Sequence, residues 1–217
     1  RQYFINHSAF DDISDEHTQY WVGFLLADGC VHESKNMVGR ISVELQSQDI
    51  SHLHKFQSFL STDKPIYNLL RPNGVNGARL EVTSQQMSIQ LNKYGIVPRK
   101  SKITKAPVVL SNSVPFWRGV VDGDGGCSIK SKPLLYVSGT PMLMDQFISF
   151  VKLRGIDTNT IPHTLTESFS TLSFSKYMAV KIAHLLYKNS SIYLNRKYEK
   201  YQIMLDVFTQ EYDNSLK

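Results

Sequence analysis

The chain has 217 residues, room for one large domain or two small ones with separate cores. Its 41% hydrophobic and 20% charged residues are those of an ordinary globular protein, and the apolar run at residues 21–27 is far too short for a bilayer span. Two cysteines, Cys30 and Cys127, exclude a disulfide framework or a zinc cluster, and a net charge of +5 leans mildly toward a polyanionic partner.

No signal peptide is visible, Arg1 suggests a natural start that lies upstream or was trimmed, and the sparse cysteines suit a reducing, intracellular compartment. Along the chain, Ser14 is a candidate N-cap with Asp15 and Glu16 in the first turn of a helix running to about Ala27. That helix stops at Asp28-Gly29. A carboxylate there stands on the unfavourable, negative end of the helix macrodipole and needs compensation.

Polar and apolar side chains alternate through residues 40–46, which predicts a strand with Arg40, Ser42, Glu44 and Gln46 on one face. An amphipathic helix carrying Phe56 follows. Strands around residues 65–70 and 79–83 are joined by the turn-rich stretch RPNGVNGA, with Arg71 and Arg79 flanking the loop. A helix over about residues 84–94 completes the series. Ser113 with Pro115 then opens a second apolar helix, a proline being tolerated in a first turn.

That second helix repeats the first. YWVGFLLADGC at residues 20–30 is matched by FWRGVVDGDGG at residues 116–126, so that Trp21, Gly23, Ala27, Asp28 and Gly29 align with Trp117, Gly119, Gly123, Asp124 and Gly125, 96 residues later. Downstream, Phe56 and Phe147 fall in equivalent places, and Arg99-Lys100 matches Arg196-Lys197 at an offset of 97. Landmarks at both ends keep nearly the same spacing, so the whole unit is duplicated. Each copy reads helix, two strands, helix, two strands, helix.

Gly23 and Ala27 share one helix face, as do Gly119 and Gly123, and small residues four apart let helix backbones approach closely. If the two faces pack together, Asp28 and Asp124 arrive side by side. Adjacent carboxylates cannot both stay ionised without compensation, which a hard divalent cation such as Mg²⁺ supplies. Cys30 and Cys127 read as small buried side chains, the histidines show no ligand spacing, and Trp21 and Trp117 read as core.

The two stretches resemble the LAGLIDADG motif of homing endonucleases, in the form that carries two motifs on one chain. The small third and seventh positions, the eighth-position acids Asp28 and Asp124, and the ninth-position glycines agree in both copies. The sixth-position acid is Asp122 in the second copy and Leu26 in the first, a change the family tolerates and not one at the catalytic acid. The likeness covers essentially the whole chain.

The resemblance implies an α+β fold of duplicated αββαββα units, with halves at residues 1–105 and 106–217, whose antiparallel sheets form a pseudo-two-fold saddle over the DNA major groove. It implies a monomer, independent of membranes, that binds a long specific site in double-stranded DNA and cleaves both strands to leave short 3′ overhangs. Asp28 and Asp124 are then the metal-holding catalytic acids, with the Ala27 and Gly123 carbonyls as further ligands. Lys100 and Lys197 are the basic supports, with Arg99 and Arg196 behind them. Mg²⁺ is the expected cofactor, Mn²⁺ is expected to replace it, and Ca²⁺ is expected to bind without supporting cleavage. Base contacts fall to Arg40, Ser42, Glu44, Gln46, Arg71 and Arg79 in the first half. In the second half they fall to Lys130, Lys132, Tyr136, Ser138, His163, Thr166 and Ser168.

Non-cutting DNA-binding proteins and intron RNA maturases share this fold, but they typically lose one or both acids, whereas both stand here. A glycosidase built on paired carboxylates is a third reading, against which the duplicated helices and basic strand faces argue.

Overall fold

The computed structural model describes residues 3–32, 39–70, 74, 76–129 and 132–215, with side chains to residue 207. The first half runs α1 (Glu16–Ala27), β1 (Gly29–His32), β2 (Arg40–Gln46), α2 (Ile50–Phe59), β3 (Tyr67–Leu69), β4 (Gly77–Thr83) and α3 (Gln85–Lys93). The second runs α4 (Val114–Asp124), β5 (Gly125–Ser128), β6 (Leu134–Gly139), α5 (Pro141–Leu153), β7 (His163–Thr166), β8 (Phe169–Ser175) and α6 (Tyr177–Tyr187), followed by α7 (Asn195–Ser215). The strands form two four-stranded antiparallel sheets, in the orders β1-β2-β4-β3 and β5-β6-β8-β7. Identical order in both sheets and helices on one side of each make an α+β fold of two repeated units.

Helix α7 is an addition to the sequence reading. Lys197, Tyr201 and Met204 are buried at helical spacing, so one stripe of α7 packs inward, mainly on α6. The start of α1 differs as well. Asp15, not Ser14, caps it, its carboxylate accepting from the N–H groups of His17 at 2.8 Å and Thr18 at 3.0 Å. Asp12 holds Ser14 outside the helix. An aspartate both caps and places negative charge at the positive helix end.

Helices α1 and α4 make the most extensive contact between any two elements. Tyr20, Trp21, Val22, Phe24, Leu25 and Leu26 are all buried, so α1 is enclosed on every side. The crossing is at glycine. A Cβ on Gly23 would collide with the Phe116 carbonyl, and one on Gly119 would collide with the Tyr20 carbonyl and lie 2.7 Å from the Phe24 nitrogen. Each half closes its own core on this pair. Trp21 packs on Phe56 with ring centroids 4.7 Å apart, and Trp117 on Phe147 at 5.2 Å. The apolar faces of the sheets cover the rest through Ile41, Val43, Leu80 and Val82 and through Leu135, Val137, Leu172 and Phe174.

Charged groups also cross between the halves. Arg118, buried in α4, pairs with Glu16 of α1 and donates to the Leu186 carbonyl at 2.8 Å. Arg196 of α7 pairs with Asp49 at 2.9 Å, and Lys55 of α2 donates to the Tyr193 carbonyl at 2.7 Å. His52 sits buried among Trp21 and Phe24, which lowers its pKa to about 3, burial being the main cause and the charges of Lys55 and Lys197 adding to it.

Two outcomes follow from this packing. Gly119→Ala puts a methyl group against backbone atoms that cannot give way, and overpacking of that kind costs roughly 1–3 kcal/mol. The thermal midpoint should therefore fall by several degrees, and an unchanged midpoint would show that the backbones do not touch. His52 should make stability depend on pH, because below its ordinary value near 6.5 the unfolded chain takes up a proton that the folded chain refuses until about pH 3. The stabilisation is complete above the ordinary value and is lost as pH falls toward the folded one, with a slope of up to about 1.4 kcal/mol per pH unit. Urea midpoints measured across that window should fall more steeply for the wild type than for His52→Gln.

Candidate active site at the paired helix ends

Both acids stand where a helix turns directly into a strand. Asp28 caps α1, its N–H donating to the Phe24 carbonyl at 2.9 Å, and Gly29 already begins β1. Asp124 closes α4 and Gly125 begins β5. The chain doubles back onto its helix, so a Cβ on Gly29 would lie 2.7 Å from the Leu25 carbonyl and one on Gly125 2.8 Å from that of Val121. Hence the Asp-Gly signature in both copies.

The two helix ends touch. A Cβ on Gly123 would run into that of Ala27 and lie 3.4 Å from the Asp28 nitrogen. Both aspartates have exposed surface, yet the protein around them displaces enough water for desolvation to be the leading influence on each carboxyl. Desolvation and then the charge of Asp28 raise the Asp124 pKa to about 6, while Lys100 and Lys197 act in the opposite sense. Asp28 is raised too, first by burial, with Lys197 and Lys100 opposing and Asp49 adding to the rise.

The lysines reach these ends from equivalent places. Lys100 donates to the Ala27 carbonyl at 3.1 Å. Lys197 donates to the backbone carbonyls of Val121 at 2.8 Å, Asp122 at 2.5 Å and Gly123 at 3.4 Å. Each ammonium thus sits on the last carbonyls of a helix, where the macrodipole favours a cation, and burial lowers the pKa of both. Of the neighbouring arginines, Arg196 is committed to Asp49, and Arg99 has a left-handed backbone with φ of 58°.

Asp122 has a different role from its neighbour two residues on. It is 2% exposed and accepts from Tyr187 Oη at 2.6 Å, Tyr20 Oη at 2.7 Å and the Leu194 N–H at 2.7 Å. Tyr20 gives its one proton to Asp122, so its 2.9 Å contact with His52 requires the Nε2–H tautomer as donor. A buried chain of hydrogen bonds therefore runs from α2 through α1 into α4 and α6. The sequence marks Asp122 only as the unmatched partner of Leu26, and nothing there announces Tyr20, His52 or Tyr187.

The exposed sheet faces hold most of the residues proposed for DNA contact. Arg40, Glu44 and Gln46 lie together on β2, but Ser42 among them is buried, its hydroxyl 3.2 Å from His32 Nε2. Arg79 stands within β4 rather than at a loop flank, opposite Glu44 and paired with it at 2.7 Å. Arg40 pairs with Glu81, which the sequence reading passed over. In the second sheet Tyr136 and Ser138 share the outer face of β6, and the Ser138 hydroxyl is 2.9 Å from that of Thr171. His163 and Thr166 are exposed on β7, but a register shift between Thr164 and Thr166 breaks the alternation, and Ser168 lies in the turn to β8. Lys132 is exposed before β6, whereas Arg71 and Lys130 lie outside the described residues. Cys127 is buried as the sequence suggests, but Cys30 is exposed, because β1 alternates and Cys30 falls on its outer face.

Among the described residues no three His, Cys, Asp or Glu side chains gather to hold a metal. The oxygen donors at the site are the two carboxylates and the adjoining carbonyls, a set that suits a hard divalent cation and not zinc. Among the described residues no helix is long and apolar enough to cross a membrane.

No family model matches the sequence, and no curated protein matches it. Solved structures do match. The LAGLIDADG homing endonuclease I-GzeII in complex with its DNA target is 14% identical, with 91% of each chain covered and a TM-score of 0.60. I-WcaI bound to its DNA recognition sequence is 15% identical, with 87% of each chain covered and a TM-score of 0.60. The meganuclease I-SmaMI bound to uncleaveable DNA is 14% identical, with 91% of this chain and 90% of that one covered and a TM-score of 0.57. I-SmaMI has also been captured on uncleaved DNA with calcium ions and on cleaved DNA.

The buried carboxylate has a measurable consequence. Asp122→Asn replaces one acceptor oxygen by an N–H₂ group facing donors, so a buried donor loses its partner at a cost of about 1–3 kcal/mol. The urea midpoint should drop accordingly. A variant as stable as the wild type would mean that the Tyr20, Tyr187 and Leu194 donors do not depend on this carboxylate.

Proposed function

Because the chain has the fold of the two-domain LAGLIDADG homing endonucleases, we propose that it is a site-specific, metal-dependent endonuclease of double-stranded DNA. The observation that carries this reading is the meeting of Asp28 and Asp124, one from each half, at the contact of two helix ends. Two adjacent acids, both held above their ordinary pKa and one of them raised by the charge of the other, have a reason to be kept when a cation neutralises them. Under this reading the halves divide near residue 105, and a monomer places one carboxylate toward each strand of a duplex.

Asp28 and Asp124 would hold Mg²⁺, with a second lone pair on the Ala27 and Gly123 carbonyls available for it. Mn²⁺ would substitute, and Ca²⁺ would bind without supporting cleavage. Such ions supply Lewis acidity at the scissile phosphate and a nucleophilic water at neutral pH. The protein's own groups do the rest. Asp28 and Asp124 would hold the cation where the reacting phosphates come to lie, while Lys100 and Lys197 keep positive charge beside them to offset charge developing on phosphate oxygen. The outer sheet faces would enter the major groove, where arginine reads guanine and glutamine reads adenine. Cleavage of both strands would leave short 3′ overhangs, and retention of both acids favours a nuclease over a non-cutting binder or an RNA maturase.

Incubation with Mg²⁺ and a randomised duplex library, followed by sequencing of the cut ends, tests the reading. Wild-type protein should produce double-strand cuts at one long site. Asp28→Asn or Asp124→Asn should abolish double-strand cleavage while leaving binding to that site within a few-fold, or tighter, since a repulsive charge near phosphate is gone. Strong double-strand cutting by either variant would remove that acid from the chemistry.

A further inference from the structure

The two sheets differ in charge although their frames are the same. The strands of the first carry four charged side chains, Arg40, Glu44, Arg79 and Glu81, and those of the second carry none. Register makes the comparison position by position. Cys30 lies opposite Ser42 as Gly126 lies opposite Tyr136, so the Glu44–Arg79 pair corresponds to Ser138 and Thr171. An ion pair in one sheet is a pair of hydroxyls in the other.

From this we infer that the two half-sites differ in base composition: the half-site under the first sheet contains specified G·C pairs, and that under the second is A·T-rich. The inference rests on the DNA-binding reading above. A guanidinium forks onto guanine O6 and N7, and a carboxylate accepts from cytosine N4, so a face of paired arginine and glutamate addresses both bases of a G·C pair. The ion pair also holds Arg79 in place before DNA arrives, so little side-chain freedom remains to be lost on binding. Within its strands the second face has nothing of this kind, the exposed Lys132 standing in the β5–β6 connection outside them. Tyr136 and Phe169 are exposed on that face beside the Ser138 and Thr171 hydroxyls. Apolar surface complements the thymine methyl group, whereas against guanine it would strip water from O6 and N7 without replacing their hydrogen bonds. Position in the fold gives the order of reading. Because β1 and β5 begin directly after Asp28 and Asp124, they are the inner edges, and β3 and β7 read farthest from the cleavage centre.

The test is selection of bound duplexes from a randomised library by wild-type protein in EDTA, repeated with Glu44→Ala/Arg79→Ala and with the transplanted pair Ser138→Glu/Thr171→Arg. The wild type should recover a site with G·C specified in one half and A·T in the other. The first double variant should lose G·C preference, by about fivefold or more, at the base pair under Glu44 and Arg79 only, the positions under Arg40 and Glu81 and the whole of the other half keeping theirs. The transplant should create a G·C preference in the A·T half, with a thermal midpoint near the wild type's as the check on folding. Should the transplant unfold, Tyr136→Ala should relax the A·T half alone. G·C specified equally in both halves would overturn the inference and leave the DNA-binding reading intact. Failure to retain any duplex, or retention of RNA instead, would overturn both.

Discussion

Contact between the backbones of α1 and α4 is the constraint on which the rest of the molecule depends. Gly23 and Gly119 remove the side chains that would hold the helices apart, and Ala27 meets Gly123 one turn later. Once the axes are that close, the residues ending the helices have no choice of neighbour. Asp28 and Asp124 meet at the unfavourable end of two macrodipoles, both harder to ionise than a free carboxyl, first through burial and, for Asp124, through the charge of Asp28. Lys100 and Lys197 answer part of that cost by sitting on the helix-end carbonyls. What is left uncompensated is a pair of oxygen ligands facing outward, and that remainder is the candidate chemistry.

Duplication supplies the symmetry, and its breaking is informative. Where the first motif has Leu26 the second has Asp122, and that one carboxylate ties Tyr20, Tyr187 and, through Tyr20, His52 into a chain crossing the boundary between halves. Arg118 with Glu16 and Arg196 with Asp49 cross it as well. Buried ionic groups of this kind are weak sources of net stability, but removing one partner is costly, so they penalise any other docking of the halves. The proposed site, whose acids come from the two repeats, needs such a restriction more than it needs extra stability. The sheets break symmetry in the other direction, by losing charge on one side.

Much of the fold is legible in the sequence because duplication turns weak local signals into paired ones. Asp28-Gly29 alone is a turn after an apolar helix; Asp124-Gly125 in the same frame, with Arg-Lys at matching distance downstream, makes it a motif. Sheet alternation likewise gives the outer face of β2. The failures have physical causes. Ser14 and Asp15 are both good caps, and only the position of Asp12 decides between them. Cys30 is small enough to read as core, but strand phase puts it outside. Ser168 falls outside the alternation because Glu167 and Ser168 form the two-residue turn between the paired Thr166 and Phe169. The Asp122 network depends on contacts between residues far apart in the chain, so no local pattern carries it.

The central claim is that the two aspartates form one metal centre and not two independent surface acids. Anomalous diffraction from crystals of the protein soaked in Mn²⁺ addresses it directly. Manganese peaks are expected between the helix ends, within coordination distance of both carboxylates, and should disappear in crystals of Asp28→Asn/Asp124→Asn. Peaks confined to other surface acids, or unaltered in the double variant, would contradict it.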